Sequence, residues 1–327
     1  MFEKLLRKLF NKPSPRDTTE IQKNYIEVVS EPPKITYDTS CIDNFIGQKK
    51  NISLIRDNII GRGTNNRLMG HTLLFGDAGY GKTTLGRLIS KIYDAPFVQI
   101  GGMSSTPRDI IEKLEYLEPN SVFFIDEIHA LSQRSQECLY EPMQDGTIDG
   151  RPISKFILVA ATTNVAKLSK PLNDRFHLQL KMEDYTLNEL QNIIIASEDG
   201  KYFQKSFEIV EEISKRCKGT PRVALSIARS VVNRNMANPL EDIRDSFILV
   251  MENLGIEKDG LDKRDISYLE CLRNSKTLSL TTISSKLSEH PQDITRIEST
   301  LIKQDLIEIT RSGRTLTEKG KARINAD

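Results

Sequence analysis

From Leu73 to Ile89 the chain reads LLFGDAGYGKTTLGRLI, and Gly76–Thr83 fits the spacing G-x-x-x-x-G-K-[ST]. Glycines at these positions let successive backbone N–H groups turn toward anionic oxygens, and a helix starting at the loop adds its positive end. Lys82 would reach the β and γ phosphates of a nucleotide, and the Thr83 hydroxyl would coordinate Mg²⁺. The expected phosphate site is therefore Gly76, Asp77, Ala78, Gly79, Tyr80, Gly81, Lys82, Thr83 and Thr84, with ATP and magnesium as ligands. An apolar strand pattern before the loop and a helical pattern after it supply a context that a chance glycine-rich turn would lack.

A second apolar run, VFFIDEIH, ends in Asp126 and Glu127. Asp126 suits a magnesium shell and Glu127 suits the orientation or activation of water. Paired acids at a strand end can also cap a helix, but the loop upstream favours catalysis. His129 reads as structural. VAATTN ends in Asn164, whose amide can bond a γ-phosphate or the attacking water without adding charge. Asn is also a common cap or turn residue, and the expected position beside the Asp126 strand favours sensing. Arg175 in PLNDRF, read as lying on a helix, and Arg222 in KGTPRVAL could each neutralise transition-state charge or simply be solvated. Residue type alone assigns neither.

These residues need a scaffold that brings strand ends together. NISLIRDNII, KTTLGRLISKIY and PRDIIEKLEYL read as helices, while HTLLF, PFVQI, SVFFID and KFILVAATT read as short apolar strands. Continuous apolar strands separated by helices imply a parallel sheet covered on both faces. After about Lys181 strand signals stop and three helical patterns follow. From about Gly255 three further helices precede LIEIT and TLTEK around RSGR, a winged helix-turn-helix pattern. The expected fold is α/β: a P-loop parallel-sheet core, a helical lid and a C-terminal winged helix. Expected bounds are 1–36 for an amphipathic helix and proline-rich linker, 37–181 for the core, 182–254 for the lid and 255–327 for the winged helix.

The start, MFEKLLRKLFNK, places Phe2, Leu5, Leu6, Leu9 and Phe10 on one helical face and Lys4, Arg7, Lys8 and Lys12 on the other. Such a helix can lie on an anionic membrane, dock on a partner or pack on its own chain. Lys+Arg total 46 against Asp+Glu 45, so nucleic-acid contacts must come from local patches rather than a global basic excess. Cys41, Cys138, Cys217 and Cys271 form no CxxC pair and fit a reducing cytoplasm better than a disulfide frame or a zinc site. No apolar run is long enough to cross a bilayer.

The order FIGQ, LLFGDAGYGKTTL, FFIDEIHAL, LYEPMQDG, VAATTN, PLNDRF, KGTPRVAL, GLDKRD and GRTLTEKG runs through nearly the whole chain after the linker. In this it resembles the AAA+ ATPases, specifically the RuvB family of Holliday-junction branch-migration motors. The resemblance implies that Phe45 and Ile46 help hold adenine. It also makes Arg175 the finger entering a neighbour's site, and Arg222, preceded by Pro221, the lid's sensor. It implies a hexameric ring around duplex or four-way-junction DNA, with Arg311 and Arg314 of the winged helix flanking the Ser312–Gly313 turn to touch DNA. Three departures stand out. GTIDGRPISKF is much shorter than the family's hairpin that docks on RuvA, which argues against a RuvA-type partner. Asp77 and Ala78 replace the usual two prolines of the loop, and Asn173 replaces a usual arginine. The leading expectation is an ATP-driven DNA motor. The alternatives are an ATP-dependent loader or recruitment switch without translocation, and a membrane- or protein-associated remodeller.

Overall fold

A computed structural model of the chain describes residues 35–273 and 277–325. The Met1–Lys12 amphipathic helix and the linker expected through residue 34 lie outside the described residues. Five parallel strands form the central sheet: β1 (Thr72–Phe75), β2 (Phe97–Gly101), β3 (Val122–Asp126), β6 (Ile157–Thr162) and β7 (Leu178–Lys181), in the order β2-β3-β6-β1-β7. Between β3 and β6 a small antiparallel hairpin, β4 (Thr147–Ile148) and β5 (Arg151–Pro152), occupies the segment read as a shortened insertion.

Alternation along each strand divides its side chains between two cores. Leu74, Phe124 and Val159 face the P-loop helix Lys82–Ile92 and the helix Lys49–Gly63, packing with Leu85, Ile89 and Ile55. Leu73, Phe123, Ile125 and Leu158 face the opposite way, onto Ile110 and Leu114 of helix Pro107–Glu115 and onto Leu172. Both faces are covered, which is why β3 and β6 read as unbroken apolar runs. β7 escaped the sequence reading because it is a sheet edge of four residues in which Leu180 alone is fully buried.

After the sheet, helices Leu187–Ala196, Phe207–Arg216, Pro221–Ala237 and Ile243–Leu254 pack together through Leu190, Val210, Ile213, Ile227 and Val231. Capping boxes fix the starts of helices Pro107–Glu115 and Leu187–Ala196, with Thr106 and Asp109 in one and Thr186 and Glu189 in the other. Next comes the winged helix: helices Lys263–Arg273, Leu280–Leu287 and Pro291–Lys303, then the hairpin β8 (Ile307–Thr310) and β9 (Gly313–Leu316). A fourth helix, Glu318–Asn325, takes over part of what the sequence suggested was the second hairpin arm. Leu316 ends the strand, and the Thr317 hydroxyl accepts from the Gly320 N–H in the first turn of that helix.

The hairpin is braced from inside. Glu298 is 2% exposed, yet it carries a carboxylate. It accepts from the Tyr268 hydroxyl at 2.9 Å, from Arg314 Nε at 2.9 Å and from Arg314 Nη2 at 3.3 Å. A buried acid is tolerated when its lone pairs are this well matched, and removing one partner strands the charge. Arg314→Ala should therefore destabilise the winged helix by about 3 kcal/mol, whereas Arg311→Ala, at an exposed tip, should stay within about 0.5 kcal/mol. Denaturant unfolding of the full chain, followed through the winged-helix transition, checks both.

Candidate nucleotide-binding site

The strand order brings the chemical residues together. β6 lies between β3 and β1, so the loop after β1, the acids ending β3 and the residues after β6 emerge side by side at the carboxyl edge. Gly76 N–H donates to Thr162 O at 3.2 Å, joining the loop to the β6 tip.

A cleft of about 830 Å³ opens at this edge, lined by Ala78, Gly79, Gly81, Lys82, Thr83 and Thr84, by Asp126 and Glu127, and by Pro221 and Arg222. Two helix N-termini converge on it. One begins at Lys82 after Gly81 in the left-handed conformation, and the other begins with Pro221, where the missing N–H costs no helical bond. Together they direct unpaired N–H groups and positive dipole ends into the same space. Lys82 is 7% exposed, and its ammonium donates to Gly76 O at 2.7 Å and Asp77 O at 2.9 Å. Burial pulls its pKa down from the usual lysine value, and the carboxylates of Glu127, Asp126 and Asp77 oppose that pull.

Gly79 is where core and lid meet. Its φ is +86°, and a Cβ there would sit 2.8 Å from Thr220 Cγ2 and 2.9 Å from Arg222 Cβ. Arg222 N–H donates to Gly79 O at 3.4 Å. The loop is thus shaped to let the lid's first turn approach its backbone directly. This cradle, together with a buried ammonium, a hydroxyl and two carboxylates, fits a polyphosphate with a hard cation.

Glu127 occupies a left-handed backbone position, φ 49° and ψ 51°. Its Oε2 accepts from Thr163 N–H at 3.0 Å and from the Thr163 hydroxyl at 3.1 Å, and lies 3.1 Å from His129 Nδ1. His129 Nδ1 is also 2.9 Å from Thr162 Oγ1. Thr163 went unnoticed in the sequence, and His129 touches the carboxylate instead of only filling space. The DEIH spacing, with His two residues past the acid, was the one available signal. Asn164 takes no part in this group: it is solvent-exposed, outside the cleft-lining residues, and its N–H donates to Thr162 Oγ1.

Phe45 and Ile46 line a second cleft of about 620 Å³ with Ile42, Asn188 and Asn192. The Phe45 ring lies 3.5 Å from where a Cβ on Gly81 would be, against the back of the loop. Tyr185, also missed in the sequence, donates its hydroxyl to Tyr80 O at 3.1 Å and closes the gap between the two regions. Asp77 and Tyr80 contribute backbone alone to the phosphate side. The Tyr80 hydroxyl turns away to Asp184, and neither side chain lines the cleft.

The two sets of arginines fall elsewhere than expected in detail. Arg175 lies just past the one-turn helix Lys170–Asn173, not on it. Its guanidinium donates to Pro171 O at 2.7 Å and Gln144 Oε1 at 2.9 Å, and stacks 4.7 Å from the Tyr140 ring centroid. It is absent from the cleft of its own chain. Of the two wing arginines, Arg311 is exposed at the hairpin turn, whereas Arg314 is committed to Glu298. Arg314, expected with Arg311 to touch DNA, is held by two hydrogen bonds to the buried Glu298 carboxylate.

Gly79→Ala should weaken binding of a non-hydrolysable ATP analogue by at least ~10-fold, since a Cβ at positive φ must displace either loop or lid. Fluorescence titration of a labelled nucleotide measures it, with the unfolding transition as the control for fold.

Residues 38–182 match the family model described as the Holliday junction DNA helicase RuvB P-loop domain, and residues 258–325 match the RuvB C-terminal winged helix domain. The chain is 34% identical over 315 residues to the Holliday junction branch migration complex subunit RuvB of Ehrlichia ruminantium, covering 91% of this chain and 95% of that protein. The counterpart from Wolbachia sp. subsp. Brugia malayi is 36% identical over 301 residues, covering 86% and 91%. The solved Thermotoga maritima RuvB Holliday junction branch migration motor superposes with a TM-score of 0.77 at 29% identity, covering 86% of this chain and 96% of that one. Sheet order, cleft and winged helix agree with these matches: the chain belongs to the RuvB family.

Proposed function

We propose that this chain is an ATP-driven DNA motor that drives Holliday-junction branch migration, hydrolysing ATP at clefts shared between neighbouring copies in a ring. The observation that carries it is the meeting of Lys82, Asp126, Glu127 and Arg222 in one cleft, in a chain whose relatives over nine-tenths of its length are branch-migration subunits. Lys82 would neutralise the β and γ phosphates. Thr83 and Asp126 would hold Mg²⁺, which when bound supplies charge neutralisation on the same phosphates. Thr163 and His129 fix the Glu127 carboxylate, which would accept the proton of the attacking water. Arg222 sits on the lid's first turn, so its attraction to the γ phosphate would draw the lid onto the loop, and loss of that phosphate would release it.

Arg175 supports the shared-cleft reading because it lies outside its own chain's cleft. To serve a neighbour it must leave Tyr140, Gln144 and Pro171, and the charge of a γ-phosphoryl group in transit is a stronger attraction than a neutral carbonyl and amide. On the DNA side, Arg311 at the hairpin turn would contact backbone phosphates, which position without reading sequence. The β4–β5 hairpin, with strands of two residues each, favours delivery to DNA by something other than RuvA docking on an extended hairpin. It also sustains a second reading, a nucleotide-dependent switch that binds DNA without moving it.

Three experiments test this. Glu127→Gln should bind ATP with wild-type affinity while turnover falls ~10²-fold or more; undiminished turnover contradicts the assignment of the base. Arg175→Ala and Lys82→Ala proteins, each inactive alone, should recover turnover when mixed, because a Lys82→Ala protomer still offers Arg175 to the intact cleft of an Arg175→Ala neighbour. No recovery in a confirmed mixed oligomer removes the shared cleft. Junction-stimulated hydrolysis with strand movement identifies the motor, and stimulation without movement identifies the switch.

A further inference from the structure

Among the described residues, the Lys303 side chain carries the winged helix to the phosphate loop. Lys303, the last residue of helix Pro291–Lys303, donates from its ammonium to Asp184 Oδ1 at 2.7 Å and to the Tyr80 hydroxyl at 3.2 Å. The Asp77 carboxylate is 3.8 Å away, and the ammonium lies 5.7 Å from the Tyr80 ring centroid. The Tyr80 hydroxyl donates to the same Asp184 oxygen at 2.8 Å, so one cation, one phenol and two carboxylates form a single group. Asp77 and Tyr80 belong to the loop, Asp184 follows β7, and Lys303 comes from more than a hundred residues later. Asp77 stands at one of the two positions where the loop departs from its family's prolines, and here that departure has a partner in another domain.

We infer that Lys303 is a positioning residue for the nucleotide site, coupling the state of the phosphate loop to the seating of the winged helix. Two features support it. Tyr80 is 3% exposed and its carbonyl accepts from the Tyr185 hydroxyl, so the residue that meets Lys303 is packed into the loop from both its side chain and its backbone. On the loop's inner side the Lys82 ammonium is held by the carbonyls of Gly76 and Asp77. Phosphate oxygens compete for that same ammonium, and the segment that adjusts carries Asp77 on its outer side. A bound polyphosphate also adds negative charge near the two carboxylates that face Lys303, which strengthens the attraction on that cation. Occupancy of the cleft therefore tightens the end of the helix that spans the winged helix, and by linkage a seated winged helix favours nucleotide. The Lys303 side chain is 45% exposed, so the coupling is modest, a several-fold effect and not a lock.

This inference rests on the cleft binding nucleotide, as proposed above. It is tested by hydrogen–deuterium exchange of residues 298–310 in the full-length chain, with and without magnesium and ATPγS, alongside titration of ATPγS affinity. In the wild type, nucleotide should slow exchange in this segment several-fold. Lys303→Ala should still bind ATPγS, within a few-fold, but lose the nucleotide dependence of exchange. Asp184→Asn should lose it from the other side of the contact, and Lys303→Arg should keep it. A wild type that binds ATPγS with unchanged exchange, or a Lys303→Ala protein that keeps the full response, overturns the inference while leaving the nucleotide site intact. Failure of the wild type to bind ATPγS overturns both.

Discussion

The placement of β6 between β1 and β3 is the constraint on which the site depends. It pairs with β1 from Val159 to Thr162 and with β3 from Ile157 to Ala160. The phosphate loop, the acidic pair and Thr163 leave the sheet on adjacent tracks because of that placement. A register slip of one residue would turn Phe123 and Phe124 to each other's faces and exchange the two cores, so the buried apolar side chains fix the positions of polar ones that they never touch. Glu127 shows the result. Its left-handed backbone, unusual outside glycine, is held by β3 on one side and by Thr163 at the β6 tip on the other. Gly102 packs closely beside it: a Cβ there would lie 2.2 Å from Glu127 O.

Much of this was readable from residue order. The loop, the acids, the alternation of apolar strands with helices and the winged helix all carry local signals, because each is a contiguous segment with a period or a spacing. What stayed hidden is what depends on partners far apart in sequence. Thr163 lies next to Asn164 in VAATTN, and nothing local says which of the two faces Glu127; the twist and termination of β6 decide it. Tyr185 looks like an ordinary residue before a helix until the fold brings it beneath Tyr80. Arg314 reads as a basic residue at a turn, the usual look of a phosphate contact. The buried Glu298 that claims it shares a helix face with Ile294 and Leu301, but a lone acid at such a position reads as the solvated edge of that face. β7 was missed for the opposite reason: an edge strand with one buried side chain leaves almost no periodic signal.

The lid is attached to the core by backbone as much as by side chains. Arg222 N–H meets Gly79 O, and Thr220 and Arg222 crowd the space over Gly79, so small rotations of helix Pro221–Ala237 act directly on the loop's peptide groups. Just before that turn the lid is tied to the winged helix. Lys218 pairs with Asp262 at 2.6 Å and with the buried Asp265, and within the winged-helix segment Arg323 pairs with Asp259 at 2.6 Å and with Glu257. These ties let the last two domains travel together, whereas contacts at Gly79 and Lys303 are the ones that a change in the cleft can alter.

Helix Pro291–Lys303 also has a mechanical meaning. Glu298 in its middle grips the hairpin through Arg314, and Lys303 at its end rests on the loop that meets phosphate. They are five positions apart, about 8 Å of helical rise. The wing hairpin and the P-loop are thus joined through one short stiff rod, with no flexible linker between the residue that holds Arg314 and the residue that reaches Asp184 and Tyr80.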